Sequence, residues 1–129
     1  MKAILVFGGT GFLGNSLVNY LSAKRIKIII YKRRTLGYLK NKNGNNLIII
    51  KSLNKKFLKK FKIQTIYHLA SSPFSPSDKF NDFYDANIIL TRKIIMLAKY
   101  LKVKQLIYTS TGSIFSKKIK LNTFDENSS

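Results

Sequence analysis

At 129 residues the chain has the length of one domain, long enough to bury about two thirds of its unfolded surface, and 45% hydrophobic content with 9 Phe and 7 Tyr is that of a folded protein. Without cysteine there is no disulfide, thiolate metal site or thiol nucleophile, and a single histidine argues against a zinc site, so no metal is expected. The formal net charge of +19 lies far outside the ordinary range, no apolar run approaches the ~18 residues of a membrane span, and the apolar start meets two glycines too early for a secretory signal, which together predict a cytoplasmic chain with no membrane contact.

Short apolar runs alternate with helical periodicity along the chain. Residues 2–7 (KAILVF) read as a buried strand, and residues 11–24 as a helix whose buried stripe is Leu13, Leu17, Val18 and Leu21. A second strand at 26–31 follows, then a loop at 41–46 (NKNGNN), a third strand at 47–50 and a short helix at 55–61. A fourth strand at 64–70 leads into a loop at 71–77 that holds both prolines, Pro73 and Pro76. The longest helix is expected over 82–101, with Phe83, Asn87, Leu90, Ile94, Leu97 and Leu101 on its buried side, and a fifth strand over 105–110. Strand alternating with helix predicts an α/β fold: a Rossmann-like, doubly wound parallel sheet of about five strands, with ligands at the edge formed by the strand C-termini. Residues 1–116 are assigned to this domain, and residues 117–129 form a tail with no periodicity or packed element.

Twenty lysines, 17 isoleucines and 11 asparagines share A/T-rich codons, so codon composition by itself can produce the charge. The alternative is an anionic partner such as nucleic acid or acidic lipid. Residues 1–77 hold 15 Lys or Arg and no Asp or Glu, yet the lysines scatter over every segment. Lys55, Lys56, Lys59, Lys60 and Lys62, with Phe57, Leu58 and Phe61 between them, read as a solvated helix face over an apolar one. No aromatic residue interleaves with the bases at a spacing suited to stacking nucleotides.

The most informative stretch is Gly8-Gly9-Thr10-Gly11-Phe12-Leu13-Gly14, which leaves the first strand and opens the first helix. That context is the one a dinucleotide fingerprint requires: one glycine for the tight turn, one so that backbone can approach a pyrophosphate, and one for close packing of helix on strand. The free N–H groups and partial positive charge of the helix N-terminus would hold the diphosphate.

This glycine turn, His68-Leu69-Ala70-Ser71 at the end of the fourth strand, Asn87 in the long helix, and the run from Tyr108 through Thr111 to Phe115 after the fifth strand resemble, in the same order, the extended short-chain dehydrogenase/reductases. These include the NAD-dependent epimerase/dehydratases that act on nucleotide sugars. The resemblance implies that Gly8, Gly9, Thr10, Gly11, Phe12, Leu13 and Gly14 bind the pyrophosphate. It implies that Leu69, Ala70 and Ser71 line the path to the nicotinamide ribose, and that the Thr111 hydroxyl bonds the substrate oxygen that gains or loses a proton. Asn87 either helps the site or braces the neighbouring loop, because a buried amide must be hydrogen-bonded. His68 is expected to serve packing rather than act as a base.

Members preferring NAD carry an acid at the end of the second strand; here that region reads Tyr31-Lys32-Arg33-Arg34, and the guanidinium groups of Arg33 and Arg34 suit a 2′-phosphate. NADP is therefore the expected cofactor, with NAD possible. Lys51 and Ser52 replace the acid common after the third strand. The family's Tyr-x-x-x-Lys pair belongs on a helix beyond the active-site loop, and the three such spacings here (Tyr20/Lys24, Tyr38/Lys42 and Tyr100/Lys104) all precede the fifth strand. The expectation is thus the N-terminal, cofactor-binding part of a nucleotide-sugar enzyme, inactive alone. It would take its sugar substrate only with a complementary C-terminal half and would self-associate through an exposed strand edge. The alternative is a non-catalytic dinucleotide-binding or basic nucleic-acid-interacting module.

Overall fold

The computed structural model describes residues 2–32, 46–72 and 80–110. Its elements are β1 (Lys2–Phe7), α1 (Phe12–Ala23), β2 (Lys27–Tyr31), β3 (Leu47–Ile50), α2 (Lys55–Lys59), β4 (Lys62–His68), α3 (Phe80–Tyr84), a π-helical turn (Asp85–Ile89), α4 (Leu90–Leu101) and β5 (Gln105–Tyr108). All strands pair in parallel in the order β3-β2-β1-β4-β5. The chain runs outward one way from β1 through β2 to β3, and the other way through β4 to β5. The crevice at that reversal, above the C-terminal ends of β1 and β4, is where sheets of this kind bind ligands.

Both sheet faces are covered, which is why the strands are near-continuous Ile, Leu and Val. The period-2 alternation of strand side chains sends Leu5, Phe7, Ile29 and Ile66 to one face. There they bury Leu58 of α2 and Leu90, Ile94 and Leu97 of α4. Val6, Ile28 and Ile30 go to the other face, against Val18 and Leu21 of α1.

Two boundaries differ in a physically readable way. β4 begins at Lys62, earlier than the expected 64, because an irregularity between Ala3 and Ile4 of β1 admits an extra residue near Gln64. α1 buries Gly14, Val18 and Leu21, whereas Leu13, expected in the stripe, is 59% exposed. The first turn of α1 overhangs the strand ends instead of lying on the sheet.

α1 and α4 end alike. Arg25 and Lys102 adopt left-handed backbone, φ 55° and 52°. The next amides, Ile26 N–H and Val103 N–H, reach back to the carbonyls of Leu21 and Ala98, closing both helices in the manner of a Schellman motif. No helix among the described residues is long and apolar enough to cross a membrane.

Candidate functional site

β1 stops at Phe7 because Gly8 turns the chain with φ +80°, a conformation that side chains rarely adopt. A Cβ at Gly8 would also stand 2.6 Å from the Ala70 amide nitrogen and 2.7 Å from the Leu69 carbonyl carbon, so the turn lies directly against the chain leaving β4. The Leu69 N–H donates to the Phe7 carbonyl at 2.9 Å and locks the two strand ends together. At Gly14 a Cβ would overlap the Gly8 carbonyl oxygen and sit 2.7 Å from the Gly9 Cα, so helix and turn pack backbone on backbone.

Gly11 differs from both. Its φ of −79° is open to any residue, and an added Cβ meets only the Gly8 oxygen, at 3.3 Å. A side chain there would ask the Gly8 carbonyl to give by a few tenths of an ångström, far less than at Gly8 or Gly14. The space above it is a cavity of about 230 Å³ lined by Gly8, Thr10, Gly11, Tyr31, Lys32, Leu69, Ala70, Ser71, Ala86 and Leu90. Gly11 is also the N-cap of α1, where no side chain caps the helix and the first turn carries no acid. By contrast, the Asn54 side chain caps α2 by accepting the Phe57 N–H at 3.0 Å. The first turn of α1 thus keeps N–H groups and a partial positive charge for an anion.

A hydrogen-bonded chain braces the β4 side of this cavity. The Asn87 side chain pairs with the backbone of Ser72 in both directions: its Oδ1 accepts the Ser72 N–H at 3.0 Å, and its Nδ2 donates to the Ser72 carbonyl at 2.9 Å. The Asn87 carbonyl accepts from the Thr91 hydroxyl at 2.6 Å, and Thr91 Oγ1 lies 2.7 Å from His68 Nε2. A hydroxyl has one proton and Thr91 spends it on Asn87, so His68 Nε2 must be the protonated donor and Nδ1 the bare acceptor. His68 is 1% exposed, lies beside the rings of Phe7 and Tyr108, and finds no partner for Nδ1. Burial pushes its pKa below the ordinary histidine value. These surroundings make it a packed, neutral imidazole.

Of the residues expected at a site, Gly8, Thr10, Gly11, Leu69, Ala70 and Ser71 converge on one cavity. Gly9 lies behind it, where a Cβ would press on Ile30 at 3.0 Å. The Phe12 and Leu13 side chains are 90% and 59% exposed and do not line it. Asn87 stands behind the Ser72 loop, outside the cavity lining. Arg33, Arg34 and Thr111 lie outside the described residues. Tyr31 and Lys32, read only as part of the run ending the second strand, Leu90, read only as a core position, and Ala86, not read at all, also line the cavity; strand-end and helix-face residues give no local signal. Among the described residues no group of three or more His, Asp or Glu is placed to hold a metal ion.

The open helix N-terminus under a glycine turn, at the reversal point of a parallel sheet, agrees with what comparison with known proteins finds. The chain belongs to the NAD dependent epimerase/dehydratase family, whose model matches residues 4–129. It is 32% identical to the dTDP-D-glucose 4,6-dehydratase of Dictyostelium discoideum over all of this chain and 33% of that protein. It is 30% identical to human sterol-4-alpha-carboxylate 3-dehydrogenase (decarboxylating) over 88% of this chain and 30% of that one. The chain therefore spans about a third of the length of these relatives. Among solved structures, UDP-N-acetylglucosamine 4-epimerase from Methanobrevibacter ruminantium M1, in complex with UDP-N-acetylmuramic acid, superposes with a TM-score of 0.82 at 25% identity, over 98% of this chain and 44% of that one. MoeE5 in complex with UDP-glucose and NAD gives a TM-score of 0.71 at 27% identity, over 88% and 38% of the two chains.

Proposed function

We propose that this chain is the cofactor-binding part of a nucleotide-sugar epimerase, dehydratase or reductase. It seats a nicotinamide dinucleotide with the pyrophosphate over the N-terminus of α1, the adenosine ribose toward Tyr31 and Lys32, and the nicotinamide ribose along Leu69, Ala70 and Ser71. The observation that carries this reading is Gly11: a Cβ there would meet only the Gly8 oxygen, at 3.3 Å, and the residue lines the cavity above an uncapped helix end. Relatives that act on dTDP-glucose or are bound to UDP-sugars and NAD support a nucleotide-sugar substrate, with hydride passing between a sugar carbon and the nicotinamide. NADP is the preferred cofactor, because no acid follows β2 and Lys32, Arg33 and Arg34 do. Thr111 would bond the reacting sugar oxygen, and the 129 residues alone bind cofactor without turnover, since no Tyr-x-x-x-Lys pair follows β5 in them.

Gly11→Val tests the reading by calorimetry. The variant is expected to fold and to lose dinucleotide affinity well over tenfold, more than about 1.4 kcal/mol. Gly14→Val is expected not to fold, because its side chain would overlap the Gly8 carbonyl. Unchanged affinity in Gly11→Val would overturn the site. Replacing Arg33 and Arg34 by Asp should weaken NADP more than NAD; equal losses would leave only general electrostatics.

A further inference from the structure

The edge of the sheet opposite the glycine turn collects cations from separate parts of the sequence. A parallel sheet gathers every strand N-terminus and every following helix C-terminus on one side, and here several of those positions are basic. Lys2 and Lys62 open β1 and β4, Lys59 and Lys60 end α2, and Lys102 ends α4. The two acids among the described residues, Asp82 and Asp85, lie before α4, toward the opposite edge.

Codon composition accounts for the number of lysines but not for where three of these features put them. Lys2 and Lys62 stand directly opposite each other in register on the paired strands β1 and β4, which places two exposed lysines side by side at this edge. Lys102 occupies a left-handed position that glycine would fill without strain. Lys59, Lys60, Lys62 and Lys102 then surround an open cavity of about 420 Å³ whose apolar wall is Phe61, Tyr100 and Leu101. In the sequence Phe57 and Phe61 fall between these lysines on the apolar side of a short helix; the fold adds Tyr100, from α4, which is 40% exposed and has Lys59 Nζ and Lys55 Nζ over its ring, 4.6 Å and 4.9 Å from the centroid.

We propose that this edge is a second binding site, for single-stranded nucleic acid. The lysines track the phosphates, with Lys55 and Lys59 moving from the Tyr100 ring to the phosphates as the cavity accepts one unpaired base against Tyr100 and Phe61. An aromatic wall within a ring of ammonium groups is the chemistry of a stacked base between phosphates. A base paired in a duplex could not enter it. The site is separate from the dinucleotide cavity, so the two proposals fail independently.

The test is fluorescence anisotropy of labelled 20-residue oligouridine and oligothymidine with the 129-residue chain, across a salt series. Lys60→Glu/Lys62→Glu/Lys102→Glu is compared with Lys51→Glu/Arg92→Glu/Lys93→Glu, which makes the same charge change on exposed residues away from this edge. Circular dichroism establishes that each variant folds. The edge triple is expected to lose more than tenfold in affinity and the control triple less than threefold. Tyr100→Ala should lose about tenfold, as expected for one stacked base, with Tyr100→Phe close to the parent. Lys102→Gly should weaken binding while its melting temperature holds or rises, which a merely structural lysine would not do. Equal losses in the two triples would reduce the effect to net charge and overturn the site. Heparin or phosphatidylserine vesicles bound as tightly as the oligonucleotides, with no effect of Tyr100→Ala, would overturn its assignment to nucleic acid. Preference between oligouridine and oligothymidine distinguishes RNA from DNA.

Discussion

His68 is the chain's only imidazole, and its surroundings determine both its tautomer and its charge. Nε2–H is committed to Thr91 and Nδ1 faces a buried space without a partner, so a second proton would bring an uncompensated charge into the core. The folded-state pKa is therefore below the unfolded value, and the unfolded chain binds more protons than the folded one between those two values. Stability is expected to be constant above about pH 7.5 and to fall as pH drops through 6.5, by at most about 1.4 kcal/mol per pH unit. Urea denaturation from pH 8 to pH 5.5 measures it, and His68→Gln should flatten the curve. A parent chain that gains stability over that drop would contradict the assignment. The packing role was legible from the strand-end position. The tautomer was not, because it depends on Thr91, which comes from a helix 23 residues away.

At the scale of elements, the three-residue spacing of Gly8, Gly11 and Gly14 and the apolar strand runs were enough to place β1, α1 and the turn between them. The long helix shows where periodicity fails. A continuous stripe from Phe83 to Leu101 assumes one unbroken phase, but the π turn at Asp85–Ile89 adds a residue to the helix and rotates what precedes it. Ala86 is buried as a result, while Asn87 bonds the Ser72 loop. Thr91 gave no sequence signal either, since a lone helical threonine ordinarily bonds the carbonyl four residues back, as it also does here. Thr91→Val keeps the shape and removes both bonds, stranding the second nitrogen of a buried imidazole. We expect it to cost about 1–3 kcal/mol in urea denaturation. A loss below about 0.5 kcal/mol would mean that the chain from His68 to Ser72 does not brace the site.

On the scale of the whole molecule the parallel sheet sorts the chain chemically. The C-terminal edge carries the glycine turn, an uncapped helix and the cavity between β1 and β4; the N-terminal edge carries lysines around Tyr100. The first edge was legible because its glycines fall within one seven-residue stretch, and the second was not, because Lys59, Lys60 and Lys62 meet Tyr100 and Lys102 only through the topology. The most direct test of the dinucleotide site is titration of the ¹⁵N-labelled chain with NADP and with NAD, followed by amide chemical shifts. The account predicts saturable shifts concentrated at residues 8–14 and 69–72, with those of Phe12 and Leu13 among the largest because the proposed seating sets the pyrophosphate over the first turn of α1. Shifts confined to residues 59–62 and 100–104, or none at residues 8–14 at saturating cofactor, would contradict it.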